Sequence, residues 1–122
     1  MLYNNNIVLN ILSTIFEKEI EDYVQDCVIE MDSQELEEYF EREVEYAILS
    51  FLRQIIVEDY KIEVRENQEI ISGTLEVIGE MEGFCFWDEE VPGERATLFL
   101  EVLYEFYAEN GKYKDLYLEQ LY

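Results

Sequence analysis

Hydrophobic residues near the start of the chain recur at intervals of three and four, which is the period of an amphipathic helix. Asn4–Asn6 offer an N-cap, and the pattern then predicts a helix over roughly residues 7–30. Its apolar positions are Val8, Ile11, Leu12, Ile15, Ile20, Tyr23, Val24, Cys27 and Met31. Asp22, Asp26 and Glu30 have the spacing i, i+4, i+8 on the opposite face, so they form an acidic column.

A second helical pattern follows the first. Asp32 and Glu35 have the spacing of a capping box, which predicts a helix start near Ser33. The apolar positions that continue the pattern are Leu36, Phe40, Val44, Ala47, Ile48, Phe51 and Ile55. The pattern ends at about residue 57. We therefore expect a second helix over roughly residues 33–57, which forms an αα-hairpin with the first.

This second stretch is crowded with acids. Eight of the sixteen residues from Glu30 to Glu45 are acidic, and the only base is Arg42. Like charges at i, i+4 destabilise a helix, so a column of acids lowers helix stability. Lysines alternating with the acids would have raised it instead. The acids that the pattern places together are Glu37, Glu41 and Glu45, with Glu38 beside them.

After Asp59 the period of the pattern changes from 3.6 to 2. Alternation around Ile62 and Val64, a turn at Asn67-Gln68 and alternation over residues 71–81 predict two strands. Residues 84–87 suit a short inner strand, 88–95 an exposed loop, and 96–107 and 113–121 two more strands. The fold class is thus α+β: an N-terminal αα-hairpin packed on a C-terminal antiparallel sheet of about four to five strands. We expect a single domain, helical over about 7–57 and β over about 60–121.

Asn110-Gly111 is a strong hairpin signal between the last two strands. A three-residue loop over 109–111 pairs Tyr104 with Leu116 and Val102 with Leu118, so that one face is apolar. A two-residue turn would instead put acids on that face, and we therefore predict the longer loop. The opposite face then pairs Glu105 with Asp115 and Glu101 with Glu119, and it is flanked by Tyr107, Tyr113 and Tyr117.

The composition is that of a folded domain with an extreme charge. The chain has 122 residues, 49% of them hydrophobic, with 30 acids against 8 bases and a net charge of −22. Such a chain repels nucleic acid and anionic membranes and attracts basic surfaces. The first residues lack a basic region, and Ile7–Leu12 is short and interrupted by Asn10. We expect neither a signal peptide nor a membrane span, and hence a cytoplasmic protein.

Residues that carry catalysis are scarce. There is no His, no glycine-rich phosphate loop and no CxxC pair. Cys27 and Cys85 lie among apolar residues, and we expect them to be buried free thiols rather than a disulfide. Asp88-Glu89-Glu90 could hold a divalent cation, but the EF-hand spacing is missing. Close carboxylate pairs are unavoidable among 30 acids, so they do not indicate glycoside hydrolysis. We expect no enzymatic activity, no metal and no cofactor.

What remains is an acidic surface. Four helical residues rise about 6 Å, so an i, i+4 column presents charges at a spacing comparable to successive phosphates of a duplex. A DNA-binding protein holds Lys and Arg ready for phosphates, and tyrosines beside the acids add contact area and cation–π partners for Arg. The expected partner-binding residues are Asp22, Asp26, Glu30, Glu37, Glu38, Glu41, Glu45, Glu101, Glu105, Asp115, Glu119, Tyr107, Tyr113 and Tyr117.

In its size, charge, lack of catalytic motifs and acid–tyrosine surface, the chain resembles the DNA-mimic inhibitors of phages and mobile elements. These include anti-CRISPR and anti-restriction proteins. The resemblance implies an inhibitor that blocks nucleic-acid binding by a host-defence nuclease such as an RNA-guided CRISPR effector. The partner would be a basic nucleic-acid-binding protein, with no direct contact to nucleic acid or membrane.

Three alternatives remain open. An immunity protein that neutralises a basic nuclease toxin would have the same charge, and a toxin gene beside it would favour that function. A structural or assembly protein could self-associate, although at a net charge of −22 this needs a large apolar interface. The third is an acidic domain with an unrelated intracellular partner. The sequence is compatible with a monomer or a homodimer.

Overall fold

The architecture is α+β, as predicted. The computed structural model describes residues 3–85 and 93–121, in which three helices precede a five-stranded antiparallel sheet. The elements are α1 (Asn5–Thr14), α2 (Glu17–Ile29), α3 (Ser33–Glu37), β1 (Tyr46–Val57), β2 (Lys61–Arg65), β3 (Gln68–Phe84), β4 (Glu94–Glu109) and β5 (Lys112–Gln120). Within the described ranges, no helix is long and apolar enough to cross a lipid bilayer.

The predicted first helix is two helices. The Asn4 side chain caps α1 by accepting a 2.8 Å hydrogen bond from the Ile7 amide, as expected. The helix then breaks at Ile15 and Phe16 before α2 begins. The break lets the Phe16 ring pack on Phe106, with ring centroids 5.4 Å apart, while Ile15 stays 51% exposed. Burial of this ring outweighs continuation of the helical stripe.

The predicted second helix is wrong beyond its first turns. Asp32 caps α3 as predicted, but the helix ends at Glu37, and residues 38–45 form turns and bends. Residues 46–57, predicted to be helical, form strand β1, which pairs with β3. Its sequence is rich in β-branched and aromatic residues, and these suit a strand once a partner is present. The helical part of the chain therefore ends near 37 rather than near 57.

The strand order of the sheet is β1-β3-β4-β5, and β2 pairs with the first residues of β3. The β2–β3 turn is formed by Glu66 and Asn67, whose φ angles are 50° and 69°, one residue earlier than predicted. β3 then runs without interruption to Phe84, which was predicted to begin a separate strand. Cys85, the next residue of that predicted strand, lies beyond the end of β3. Residues 86–87 of that strand, and most of the predicted loop over 88–95, lie outside the described residues.

The β4–β5 hairpin has a different register from the predicted one. Glu109 pairs with Lys112, so the turn has only two residues, Asn110 and Gly111, with φ angles of 51° and 77°. A β-bulge follows, in which two residues of β5, Asp115 and Leu116, lie opposite Phe106 alone.

The bulge allows a two-residue turn without placing the acids of β5 on the apolar face of the hairpin. Beyond it Tyr104 pairs with Leu118 and Val102 with Gln120, instead of Leu116 and Leu118 as predicted. Every second residue of β4 from Leu98 to Ala108 is buried, so the hairpin has one apolar face despite its short turn. The prediction of one apolar face is confirmed, and the loop length is wrong.

The chain divides into two compact units, whose boundaries fall inside β1, β3 and β4. The first comprises Met1–Ile20, Ile55–Val77 and Leu100–Tyr122, and the second comprises Glu21–Gln54 and Ile78–Phe99. The core of the first includes Val8, Ile11, Leu12, Phe16, Ile71, Leu75, Val102, Tyr104 and Phe106. The core of the second includes Val24, Val28, Leu36, Phe40, Val44, Ala47, Met81 and Leu98.

Candidate functional site

The acidic column predicted for the first helical stretch is present on α2. Asp22 and Asp26 lie on the exposed face of this helix. Glu30 follows the last helical residue, and its amide donates a 3.0 Å hydrogen bond to the carbonyl oxygen of Asp26, so the helical turn extends to it. Val24 and Val28 are fully buried on the other side. The column therefore does not take part in the core.

The second predicted column does not exist as a helical column. Glu37 is the last residue of α3, Glu38 is its C-cap, and Glu41 lies in a bend. Glu45 is half-buried, and its amide donates to the carbonyl oxygen of Phe84, so it belongs to the entry into β1. Glu37, Glu38 and Glu41 stay exposed, but the chain has left the helix that would have aligned them.

The outer side of the β4–β5 hairpin combines acids with aromatic and aliphatic residues. We call it the hairpin face and define it by Glu101, Leu103, Glu105, Tyr107, Tyr117 and Glu119. Glu105 pairs with Tyr117 and Leu103 with Glu119, and the Leu121 amide donates to the Glu101 carbonyl oxygen. The predicted pairs Glu105–Asp115 and Glu101–Glu119 are therefore wrong, because the bulge displaces β5.

Tyrosine hydroxyls orient two carboxylates of the hairpin face. Tyr107 donates to Glu105 Oε1 at 3.3 Å, and Tyr117 donates to Glu119 Oε2 at 3.2 Å. The charge and hydrogen bond of Glu119 raise the pKa of Tyr117, with smaller contributions from desolvation and Glu105. Tyr117 therefore stays protonated near neutral pH and is 56% exposed.

The carboxylates of the hairpin face have no basic partner in the part of the chain that the structure describes. Among residues 3–85 and 93–121, no Lys or Arg forms an ion pair with Glu101, Glu105 or Glu119. Ion pairs occur elsewhere, as Arg53–Glu80, Arg65–Glu63 and Lys114–Glu109. These pairs are largely exposed and contribute little to stability. Within the described residues, no ion pair therefore offsets the charge of these three carboxylates.

Two predicted site residues lie away from the hairpin face. Tyr113 pairs with Ala108, and its ring meets Phe106 edge-on at 5.9 Å, which places it on the core side. Asp115 is exposed in the bulge, with a φ angle of 57°. Both residues lie elsewhere than predicted because the observed register of β5 differs from the predicted one.

A further group of acids was missed at the sequence level. Partial desolvation, followed by repulsion from Glu101, Glu76 and Asp59, raises the pKa of Glu58. Glu58 and Asp59 are adjacent in the connection after β1, whereas Glu76 lies in β3 and Glu101 in β4. No spacing in the sequence connects Glu58 with Glu76 and Glu101, because these segments become neighbours only when the strands pair. They add to the negative charge beside Glu101.

A cavity of about 480 Å³ adjoins the hairpin face within the same unit. It is lined by Asp59, Tyr60, Lys61, Ser72, Gly73, Thr74, Leu103, Tyr104, Glu105 and Tyr117. One oxygen of Asp59 accepts hydrogen bonds from both the amide and the hydroxyl of Thr74, at 2.7 and 2.8 Å. These bonds tie together two of the residues that line the cavity.

Two expectations concerned metals and thiols. In the part of the chain that the structure describes, no group of three or more Asp, Glu or Cys side chains is arranged to hold a metal ion. The predicted cation ligands Asp88-Glu89-Glu90 lie outside that part. Cys27 and Cys85 are free, as expected, but they are half-buried rather than fully buried. Partial burial raises the pKa of the Cys27 thiol, and the Cys85 thiol donates to the carbonyl oxygen of Glu43.

Comparison with known proteins supplies no identity. No protein-family model matches this chain, and no curated protein or solved structure is significantly similar to it. The function must therefore follow from the charged and aromatic side chains themselves. Exposed carboxylates with tyrosine neighbours can bind guanidinium and ammonium groups and can repel phosphates.

Proposed function

We propose that the protein is an acidic DNA mimic. It binds the basic nucleic-acid site of a host-defence nuclease, in the first place an RNA-guided CRISPR effector, and thereby blocks nucleic-acid binding. It acts as a binding protein rather than an enzyme, in the cytoplasm where such nucleases work. The observation that carries the proposal is the hairpin face, where Glu101, Glu105 and Glu119 have no basic partner among the described residues.

The geometry of the hairpin face supports this function. Glu119 pairs with Leu103, so along the strand direction its position falls between Glu101 and Glu105. Two residues of an extended strand span about 7 Å, and the three carboxylates therefore follow one another at roughly that interval. This is the order of the separation between phosphates along a nucleic-acid strand. A basic groove that binds phosphates would find carboxylates in comparable positions.

Aromatic neighbours add what a bare acidic surface lacks. Tyr107 and Tyr117 hold two of the carboxylates by hydrogen bonds, so less side-chain entropy is lost when a partner binds. Arg side chains of a nuclease can pair with the carboxylates and stack on the exposed ring of Tyr117. The net charge of −22 would speed the encounter with a basic partner.

Charge reversal tests the proposal and identifies the surface. The first variant is Glu101→Lys with Glu119→Lys, on the hairpin face. The second is Asp26→Lys with Glu30→Lys, on α2. The control is Glu43→Lys with Glu66→Lys, which changes the net charge equally at exposed acids outside both surfaces. Each is titrated against a panel of purified CRISPR effectors, restriction nucleases and toxin nucleases, with competing DNA.

We expect the hairpin variant to lose binding and to restore DNA binding by the nuclease, while the control retains inhibition. Wild-type affinity should fall steeply with salt, as phosphate contacts do. Loss in the α2 variant alone would move the binding surface to the helix. If neither variant weakened binding, or if no nuclease bound, the DNA-mimic function would be excluded. Binding restricted to a toxin nuclease would favour an immunity protein.

A further inference from the structure

The cavity beside the hairpin face has the chemistry of a cation site with an aromatic wall. Glu105 lines it, and its Oε1 atom accepts a hydrogen bond from Tyr107. The Tyr117 ring also lines it and is 56% exposed, so a face of the ring is accessible. The volume of about 480 Å³ is within the range of small-ligand sites.

A guanidinium group fits these surroundings better than other ligands. It is planar and weakly hydrated, it pairs with a carboxylate through two parallel hydrogen bonds, and it stacks on aromatic rings. An ammonium group lacks the planar geometry, and an anion would be repelled by Glu105 and Asp59, which both line the cavity. One oxygen of Asp59 already accepts two short hydrogen bonds from Thr74, whereas Glu105 Oε1 accepts a single bond of 3.3 Å from Tyr107. Glu105 therefore has more acceptor capacity left for a ligand.

We propose that this cavity receives an arginine side chain of the basic partner, with the guanidinium group paired to Glu105 and stacked on Tyr117. The inference rests on the proposed function, and it names the residue type of the partner that enters the cavity. Because such a buried contact would lie inside a wider charged surface, it would act as an anchor of the complex.

Lys61 gives the inference a distinctive consequence. It lines the same cavity as Asp59 and Glu105, and it is the one basic residue among the described residues that do so. Its ammonium group opposes entry of a second cation. Replacing it by a neutral residue should therefore strengthen arginine binding, whereas a merely structural role of the cavity predicts no gain.

The test uses N-acetyl-arginine amide, with N-acetyl-lysine amide as the matched probe, in an NMR titration of the full chain. We expect saturable shifts at the Tyr117 ring with the arginine probe, and weaker shifts with the lysine probe. Glu105→Gln and Tyr117→Leu should each weaken arginine binding roughly fivefold, and Tyr117→Phe, which keeps the ring, should change it less than about twofold. Lys61→Gln should tighten it roughly threefold. Glu66→Gln, an equal charge change in the β2–β3 turn, is the control.

The outcomes separate this inference from the proposed function. Arginine binding in the cavity without any nuclease partner would support the site and contradict the DNA-mimic function. A nuclease that binds the wild type, is released by the hairpin reversal, yet is unaffected by Glu105→Gln and Tyr117→Leu would overturn the arginine site alone. Equal shifts with both probes, or shifts away from the cavity, would also overturn it.

Discussion

The hydroxyl of Tyr104 donates a 2.8 Å hydrogen bond to the backbone carbonyl oxygen of Asp59, 45 residues earlier in the chain. Tyr104 is only 1% exposed, in the middle of β4, and Asp59 lies in the connection between β1 and β2. The bond joins this connection to the central part of the first unit. Desolvation by burial, followed by the charges of Asp59 and Tyr60, raises the pKa of Tyr104 well above its usual range.

Replacing Tyr104 by Phe should lower the free energy of unfolding at neutral pH by about 1 kcal/mol, because the Asp59 carbonyl oxygen loses its donor. The native pKa of this tyrosine is raised, so the wild type loses stability as the pH rises above the unfolded value of about 10. The Phe variant lacks this loss, so the difference in the free energy of unfolding between the wild type and the variant should become smaller above this pH. Urea unfolding across this pH range measures both effects. A gap that widened would contradict the burial of the hydroxyl.

Glu58→Gln should raise the melting temperature at neutral pH. The native pKa of Glu58 is raised by partial desolvation and by repulsion from Glu101, Glu76 and Asp59, so its ionisation destabilises the fold. The contribution of the Glu58 side chain to folding stability is therefore most favourable below its pKa in the unfolded chain. This contribution is lost as the pH rises through the pKa of the folded protein. Thermal unfolding at neutral pH and below about pH 4 should show a gain that disappears in acid. An equal gain at both pH values would point to packing instead.

Glu109→Gln should have the opposite effect. The side chain of Glu109 accepts hydrogen bonds from Gln68 at 2.9 Å and from Lys114 at 3.0 Å, and these lower its pKa. Its stabilising contribution is present above the unfolded pKa and is lost as the pH falls through the native value. The variant should have a lower melting temperature than the wild type at neutral pH and the same melting temperature in acid. A higher melting temperature at neutral pH would mean that general repulsion outweighs these contacts.

Gly83→Ala should destabilise the protein by about 1–3 kcal/mol, because a new Cβ atom would overfill the core. That atom would lie 2.7 Å from Val44 Cγ1 and 2.9 Å from Phe40 Cε1. Chemical denaturation measures the loss, and adding Val44→Ala should make the two changes non-additive. Gly111→Ala is the control, since nothing lies within 4 Å of its Cβ position and only its positive φ is strained. An unaffected Gly83→Ala variant would contradict the packing of residues 40–44 over β3.

The sequence alone determined the features that depend on local interactions. It predicted the α+β class, the caps at Asn4 and Asp32, and a hairpin at Asn110-Gly111, although with a loop one residue too long. The caps and the hairpin signal each involve residues within a few positions of one another. It also identified residues 36, 40 and 44 as core, and all three are buried. Burial follows from hydrophobicity whether or not the backbone is helical.

Only the tertiary structure decided the backbone of residues 38–57 and the register of β5. An apolar stretch such as 46–57 can form either a helix or a strand, and its pairing with the distant strand β3 decides between them. Asp115, whose φ angle is positive, lies in the β-bulge of β5. This bulge allows a two-residue turn and one apolar face to occur together. The pairing of β1 with β3 joins segments that are far apart in the sequence, and the bulge in β5 depends on which side chains pack in the core, so the local hydrophobic pattern predicts neither.

The candidate site divides in the same way. Composition and periodicity identified acids that would be exposed, and Asp22, Asp26 and Glu101 are exposed. Strand pairing decided which acids are neighbours. Glu119 pairs with Leu103 rather than with Glu101, and Glu58 lies near Glu101. Exposure of a charge follows from its own hydration free energy, whereas its neighbours depend on contacts between segments far apart in the chain.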